Sequence, residues 1–179
     1  ATACRANLMN NIASSFKGLH LMLKEKKSPL TVSFDRKVTI SKTNLLKLDP
    51  NNQKFGCTPS FSAYPDKGVV DPTAVNPLEY RVRAAGGHIH IGMGKMDNNE
   101  QTINLVKLLD IIVGNTCVLI DRDKGNKERR KLYGRAGEYR LPPHGLEYRT
   151  PSNFWLHHGI VMSLVFGLVR LTVSIDARS

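Results

Sequence analysis

Apolar residues recur at spacings of three and four along residues 3–25, at Leu8, Ile12, Phe16, Leu19 and Leu23. That period predicts an amphipathic helix. Lys24, Lys26 and Lys27 crowd its end, where cations suit the negative pole of the helix dipole, and Pro29 stops it. Val32 and Phe34, then Val38 and Ile40, alternate with polar residues and predict a short hairpin around Asp35-Arg36. Residues 49–79 are rich in Pro, Asn, Gly and Asp and read as a long, substrate-facing loop. Tyr80 to Met93 reads as one strand.

Residues 98–120 predict a second helix, with Ile103, Val106, Leu109, Val113, Cys117 and Ile120 on one side and Asn98 or Asn99 near its cap. The run from Asp121 to Lys131 is fully polar and reads as a solvated loop. Residues 132–151 hold two short strand-like pieces around the turn signal Pro142-Pro143-His144-Gly145. Residues 153–175 form the most apolar helix, with no Asp, Glu, Lys or Arg between Phe154 and Val169. That uncharged stretch is shorter than the ~20 residues a bilayer span needs. With His157, His158, Ser163 and Arg170 in or beside it, a buried core helix is expected instead of a membrane one. No repeat or linker interrupts the 179 residues, so one α+β domain over 1–179 is expected, with a mostly antiparallel sheet packed on helices.

Charge sharpens the question of partner. The chain has 26 Lys and Arg against 15 Asp and Glu, a net +11. An anionic partner follows: nucleic acid, nucleotide phosphates or an acidic surface. Residues 1–50 carry +6 and residues 121–149 carry +4. Aromatics are few and do not interleave with the basic residues, so a nucleic-acid stripe is possible but not favoured. Cys4, Cys57 and Cys117 are far apart with no CxxC pair, which excludes a disulfide scaffold and a structural zinc site and fits a cytoplasmic setting. The first residues lack the apolar segment of a signal peptide, and the sequence opens without Met.

Two stretches carry chemistry. In Gly86-Gly87-His88-Ile89-His90-Ile91-Gly92, strand periodicity puts His88 and His90 on one face and Ile89 and Ile91 on the other. Such a pair suits a divalent metal or nucleotide phosphates, and equally a strand whose histidines hydrogen-bond to neighbours. In Gly137-Glu138-Tyr139-Arg140 and Gly145-Leu146-Glu147-Tyr148-Arg149, period two sets Glu138 with Arg140 and Glu147 with Arg149. A tight turn between them gathers Arg140, Glu147 and Arg149. Arginine grips phosphate or carboxylate with paired donors, and a carboxylate beside it suits Mg²⁺. A cross-strand salt-bridge ladder is the plainer alternative. No Walker motif, GxGxxG fingerprint, HExxH or GxSxG is present.

These motifs, together with Arg129-Arg130-Lys131-Leu132-Tyr133-Gly134 and Thr150-Pro151-Ser152-Asn153-Phe154-Trp155, resemble the phage-type carboxylate–amine ligases, or type 2 amidoligases. That family lies within the glutamine synthetase and glutamate–cysteine ligase superfamily. The resemblance runs from about residue 1 to residue 160 and includes Phe55-Gly56-Cys57. It implies a glutamine synthetase-like catalytic domain that uses ATP and Mg²⁺ to join a small or peptide carboxylate to an amine through an acyl phosphate. It implies metal ligation by His88 and Glu147, nucleotide-phosphate binding by His90, Arg129 and Arg130, and catalytic roles for Arg140 and Arg149. It implies action in the cytoplasm of an infected cell, and an oligomer is compatible with it. The family opens with a strand bearing further acidic metal ligands, and no such segment precedes the first helix here. The expected fold is therefore one lacking its N-terminal strand, with a short metal set. A non-catalytic basic binding module and an inactive structural relative are the competing readings.

Overall fold

The computed structural model describes residues 5–32, 35, 37–55, 60–67, 71, 74–132 and 134–178. Helix α1 spans Arg5–Glu25, as the apolar period predicts. Its stripe of Leu8, Ile12, Phe16 and Leu23 is half-buried while Leu19 stays exposed. It touches the last helix, where Ser163 Oγ donates to Met9 Sδ at 3.2 Å.

The strand expected around Val38 forms as β1, Lys37–Thr39. The predicted hairpin partner falls partly outside the described residues. β1 pairs antiparallel with β3, Val82–Ala84, with Val38 opposite Arg83. The loop expected over 49–79 contains ordered pieces. Short helices α2 (Lys42–Leu46) and α3 (Pro50–Gln53) lead into it or lie within it, each with a side-chain cap, Ser41 and Asp49. Strand β2, Phe61–Ser62, joins the main sheet at Tyr139 and Glu138.

The single strand expected over 80–93 is instead two strands in two sheets. β3 ends at Ala84 and β4 covers Ile89–Gly92. Between them the chain is held by another segment. Gly86 bridges Ser152, Gly87 N donates to Pro151 O at 3.1 Å, and Trp155 Nε1 donates to Gly87 O at 3.0 Å. A Cβ at Gly87 would meet Ser152 O at 2.2 Å, so only glycine permits this approach.

The main sheet has four antiparallel strands in the order β2-β5-β6-β4, where β5 is Glu138–Arg140 and β6 is Gly145–Tyr148. One face carries Ile91, Leu146, Tyr139 and Tyr148. It packs on Leu105, Val106, Leu109, Val113 and Cys117 of one long helix and on Val165 and Val169 of another. The first helix runs as α4 (Glu100–Leu109), a π turn (Asp110–Gly114) and α5 (Asn115–Ile120), with Asn99 as its cap. Burial, with Asp121 nearby, pushes the Cys117 thiol up to about 12.

The second is α7, Gly159–Asp176, after a 3-10 turn at Asn153–His157. It is not the wholly buried helix its composition predicts. Val165, Val169 and Thr172 are buried, but Ile160, Leu164, Leu171 and Ile175 face outward. By length and composition alone, Glu100–Ile120 and Gly159–Asp176 are long and apolar enough to cross a membrane.

The polar run 121–131 is a second correction. It folds into α6, Gly125–Arg129, and buries Asp121, Asn126 and Arg129. Asp121 accepts from Ser152 Oγ at 2.5 Å and from Asn126 Nδ2, which ties the run to the segment that holds Gly86 and Gly87.

Candidate functional site

Opposite the helix-packed face, the sheet presents charge. β5 and β6 place Arg140 across from Glu147, and β4 and β6 place His90 across from the same Glu147. The three side chains therefore stand in a row over three strands. Two residue positions along the ladder, on the same face, Arg149 N donates to Glu138 O at 3.0 Å. Glu138 and Arg149 thus repeat the carboxylate–arginine pairing of Glu147 and Arg140 with the signs exchanged between strands.

Glu147 is the centre of this row. Its side chain is 4% exposed. Arg140 donates Nε to Oε2 at 2.8 Å and Nη2 to Oε1 at 2.6 Å, the bidentate geometry that favours arginine. His88 Nδ1 lies 2.9 Å from Oε1, and Arg149 Nε lies 3.5 Å from it. Burial alone would raise the Glu147 pKa, but hydrogen bonds from His88 and Arg140, with the Arg140 charge, outweigh it and hold the carboxyl at about 2. Burial also lowers the His88 pKa, the Glu147 hydrogen bond only partly opposing this. Both Arg140 and His88 contribute charge as well as hydrogen bonds to the Glu147 depression, Arg140's charge the larger of the two.

Arg149 is fully buried and donates Nη1 to Ser60 Oγ, next to β2. Its charge is aimed along the floor of the site and not into solvent. Glu138 is buried beside it, with Gly134 N donating to Oε2 at 2.5 Å. Burial raises the Glu138 pKa against the opposing pull of that hydrogen bond and of Arg149.

Of the residues singled out by sequence, the structure gathers His88, Arg140, Glu147 and Arg149 and sets His90 opposite Glu147. Arg130 stands half-exposed at the end of α6, its carbonyl accepting from Arg135 Nε at 3.0 Å. Arg129 has other work than the phosphate binding expected of it. The residue is 1% exposed, and its guanidinium donates to the carbonyls of Thr150, Arg149 and Pro151 at 3.0, 3.1 and 2.9 Å. It clamps the chain leaving β6. Tyr133 lies outside the described residues.

Sequence reasoning missed His144. In the turn before β6, its Nε2 lies 3.0 Å from His90 Nδ1, with the rings stacked. The Pro142-Pro143 turn signal marked the position, but nothing in the spacing showed which strand the turn folds onto.

Among the described residues no group of three or more His, Cys, Asp or Glu is gathered for a metal. Glu147 and His88 are the adjoining donors, and Glu138 Oε1 is a buried oxygen with no hydrogen-bond partner. Mg²⁺ takes oxygen ligands, commonly one or two carboxylates with waters and substrate phosphates, and the Glu147 oxygens that could serve it are engaged by Arg140 and His88. A cavity of about 260 Å³ adjoins His88 and His90, walled by Leu8, Trp155, Val165 and Phe166. A larger one, about 650 Å³, lies away from this row between α1 and the start of α7, and no carboxylate lines it.

Fold and site together define an α+β protein whose antiparallel sheet carries an ionised carboxylate held by arginines and histidine. The model of the phage phiEco32-like COOH-NH2 ligase type 2 family matches residues 73–178, more than half of the chain. The chain belongs to this family, and its function at the coarse level is that of a ligase joining carboxyl and amino groups. Neither curated proteins nor solved structures gave a match.

Proposed function

We propose that this protein forms an amide bond at the expense of ATP, in a Mg²⁺-dependent reaction through an acyl phosphate, on a glutamine synthetase-like sheet. The carrying observation is the row His90–Glu147–Arg140, with His88 and Arg149 on the same carboxylate. In this chemistry a carboxylate oxygen takes the terminal phosphoryl group as ADP leaves. The amine nitrogen then attacks the acyl carbon, phosphate departs and the nitrogen gives up a proton.

The chain's part is positioning and charge neutralisation, which dominate phosphoryl transfer. Glu147 and His88 would hold Mg²⁺, whose service is to offset phosphate charge. With Arg140 and His88 as its partners, a pKa of about 2 keeps the Glu147 carboxylate ionised at physiological pH. Arg140, 29% exposed, can serve Glu147 and also turn a donor to an incoming anion. Arg149 supplies a fixed buried charge beneath the same carboxylate. His90, exposed on the same face, and half-exposed Arg130 are the candidates for phosphate contact.

The carboxylate and amine are small or peptide-borne in this reading, and the setting is the cytoplasm of an infected cell. A membrane is not needed. The helix Glu100–Ile120 carries buried Asp110, which accepts from Tyr148 Oη of the sheet at 2.6 Å. The test is acyl-phosphate trapping. A panel of amino-acid and peptide carboxylates is incubated with the protein, MgATP and hydroxylamine. The reading requires an ATP-dependent hydroxamate from at least one of them, and it fails if ATP turnover stays independent of every carboxylate while no hydroxamate appears.

A further inference from the structure

The His90–His144 contact is built by the backbone. Gly145 N donates to Pro142 O at 3.0 Å, closing the turn. Met93 N donates to His144 O at 3.2 Å, fastening the turn to the end of β4. Gly145 sits at φ +143°, and a Cβ there would meet Ile91 O at 2.1 Å, so the approach of turn to strand depends on glycine. The side chain of His144 is thereby delivered onto His90, whose Nδ1 it meets at 3.0 Å.

Between two imidazoles sharing one hydrogen bond, one nitrogen donates and the other accepts, and this fixes the tautomer of each ring. If His90 donated from Nδ1, its remaining nitrogen, Nε2, would present a lone pair. That would repel an anion. If His144 donates from Nε2, His90 accepts at Nδ1 and carries its proton on Nε2. The second nitrogen of His90 is then a donor even with the ring uncharged. His90 stands opposite Glu147, in the row that Arg140 completes, and an anionic ligand drawn to Arg140 would meet it there.

We propose that His144 is a positioning residue that holds His90 in the Nε2–H tautomer and so turns it into a donor for a phosphate oxygen. The choice of tautomer rests on an anionic ligand at His90, and the phosphate part rests on the ligase reading above. His144 acts through His90 and need not touch the ligand.

The test uses the full chain, labelled with ¹⁵N, at mildly alkaline pH where free imidazoles are neutral. Long-range ¹H–¹⁵N spectra report which nitrogen of His90 carries the proton. The Nε2–H form is expected to the exclusion of the other in the wild type, with a measurable Nδ1–H share in His144→Ala that disappears again in His144→Gln, whose amide can donate. Titration with MgATP is expected to show about a tenfold weaker affinity for His144→Ala, the size of one modest hydrogen bond, with His144→Gln close to the wild type. The backbone of residue 144 keeps its bond to Met93 in both variants, and an unchanged spectrum outside the site checks folding. A wild-type Nδ1–H tautomer, or an unchanged tautomer share in His144→Ala, overturns the proposal. A tautomer that shifts while MgATP affinity does not overturns the phosphate role. If the wild type binds no nucleotide at all, the ligase reading fails by itself, and the tautomer still decides whether His144 sets His90.

Discussion

Arg140 and Glu147 face each other across β5 and β6 in a bidentate pair, at 2.8 and 2.6 Å, with the carboxylate almost wholly buried. The pair is both a structural tie between two strands and the point where an anionic ligand would compete for the arginine. That double use has consequences for stability and for binding.

Acid should expose the structural half. The Glu147 pKa is depressed from an ordinary 4.5 to about 2. A depressed acid stabilises the fold fully above its unfolded pKa, and this contribution fades as pH falls through the folded one. At neutral pH it is worth roughly 3 kcal/mol. Chemical denaturation of wild type and Glu147→Gln should therefore show a stability gap that is constant near neutrality. It should close between pH 4.5 and about 2. A gap that does not change with pH contradicts the assignment. Asp110 and Glu138, both raised by burial, act in the opposite sense, so the difference between the two proteins is the informative quantity.

Arg129 separates a clamp from a phosphate ligand. Its three carbonyl partners predict that Arg129→Lys loses about 3 kcal/mol, since charged hydrogen bonds are lost and buried acceptors are left unmet. Urea unfolding measures this. Undiminished stability with a weakened nucleotide affinity would return Arg129 to the phosphate-binding role.

The far side of the sheet has its own polar contact. Tyr148 Oη donates to Asp110 Oδ1 at 2.6 Å inside the core, where the π turn makes room. A Cβ at Gly114 would meet that hydroxyl at 2.4 Å. Tyr148→Phe should cost about 1–3 kcal/mol by leaving a buried carboxylate short of a donor. Equal stability by urea unfolding would show that Asp110 finds another donor at no cost.

Much of this was legible from residue order. Period two and the Pro142–Gly145 turn gave β5 and β6 and the grouping of Arg140, Glu147 and Arg149, because a short antiparallel hairpin is a local structure. What sequence could not show was long-range. The apparent strand from Tyr80 to Met93 divides because Ser152 and Trp155 seize Gly86 and Gly87. The charged run 121–131 reads as solvated, yet Arg129 and Asp121 each bond to a partner that lies 20 or more residues away in the chain. The apolar composition of α7 predicts a buried core helix, while its neighbours leave Ile160, Leu164, Leu171 and Ile175 exposed. His144 escaped for the same reason: its partner stands 54 residues earlier.

The central claim is that the Glu147–Arg140 row receives a nucleotide with Mg²⁺. Isothermal titration of the full chain with ATP, with and without Mg²⁺, tests it most directly. Saturable binding that requires Mg²⁺ is expected in the wild type, weakened tenfold or more in Glu147→Gln and Arg140→Ala, in keeping with the loss of ~1.4 kcal/mol or more from a charge-assisted contact. Absence of binding in the folded wild type, or the same affinity in both variants, contradicts the account.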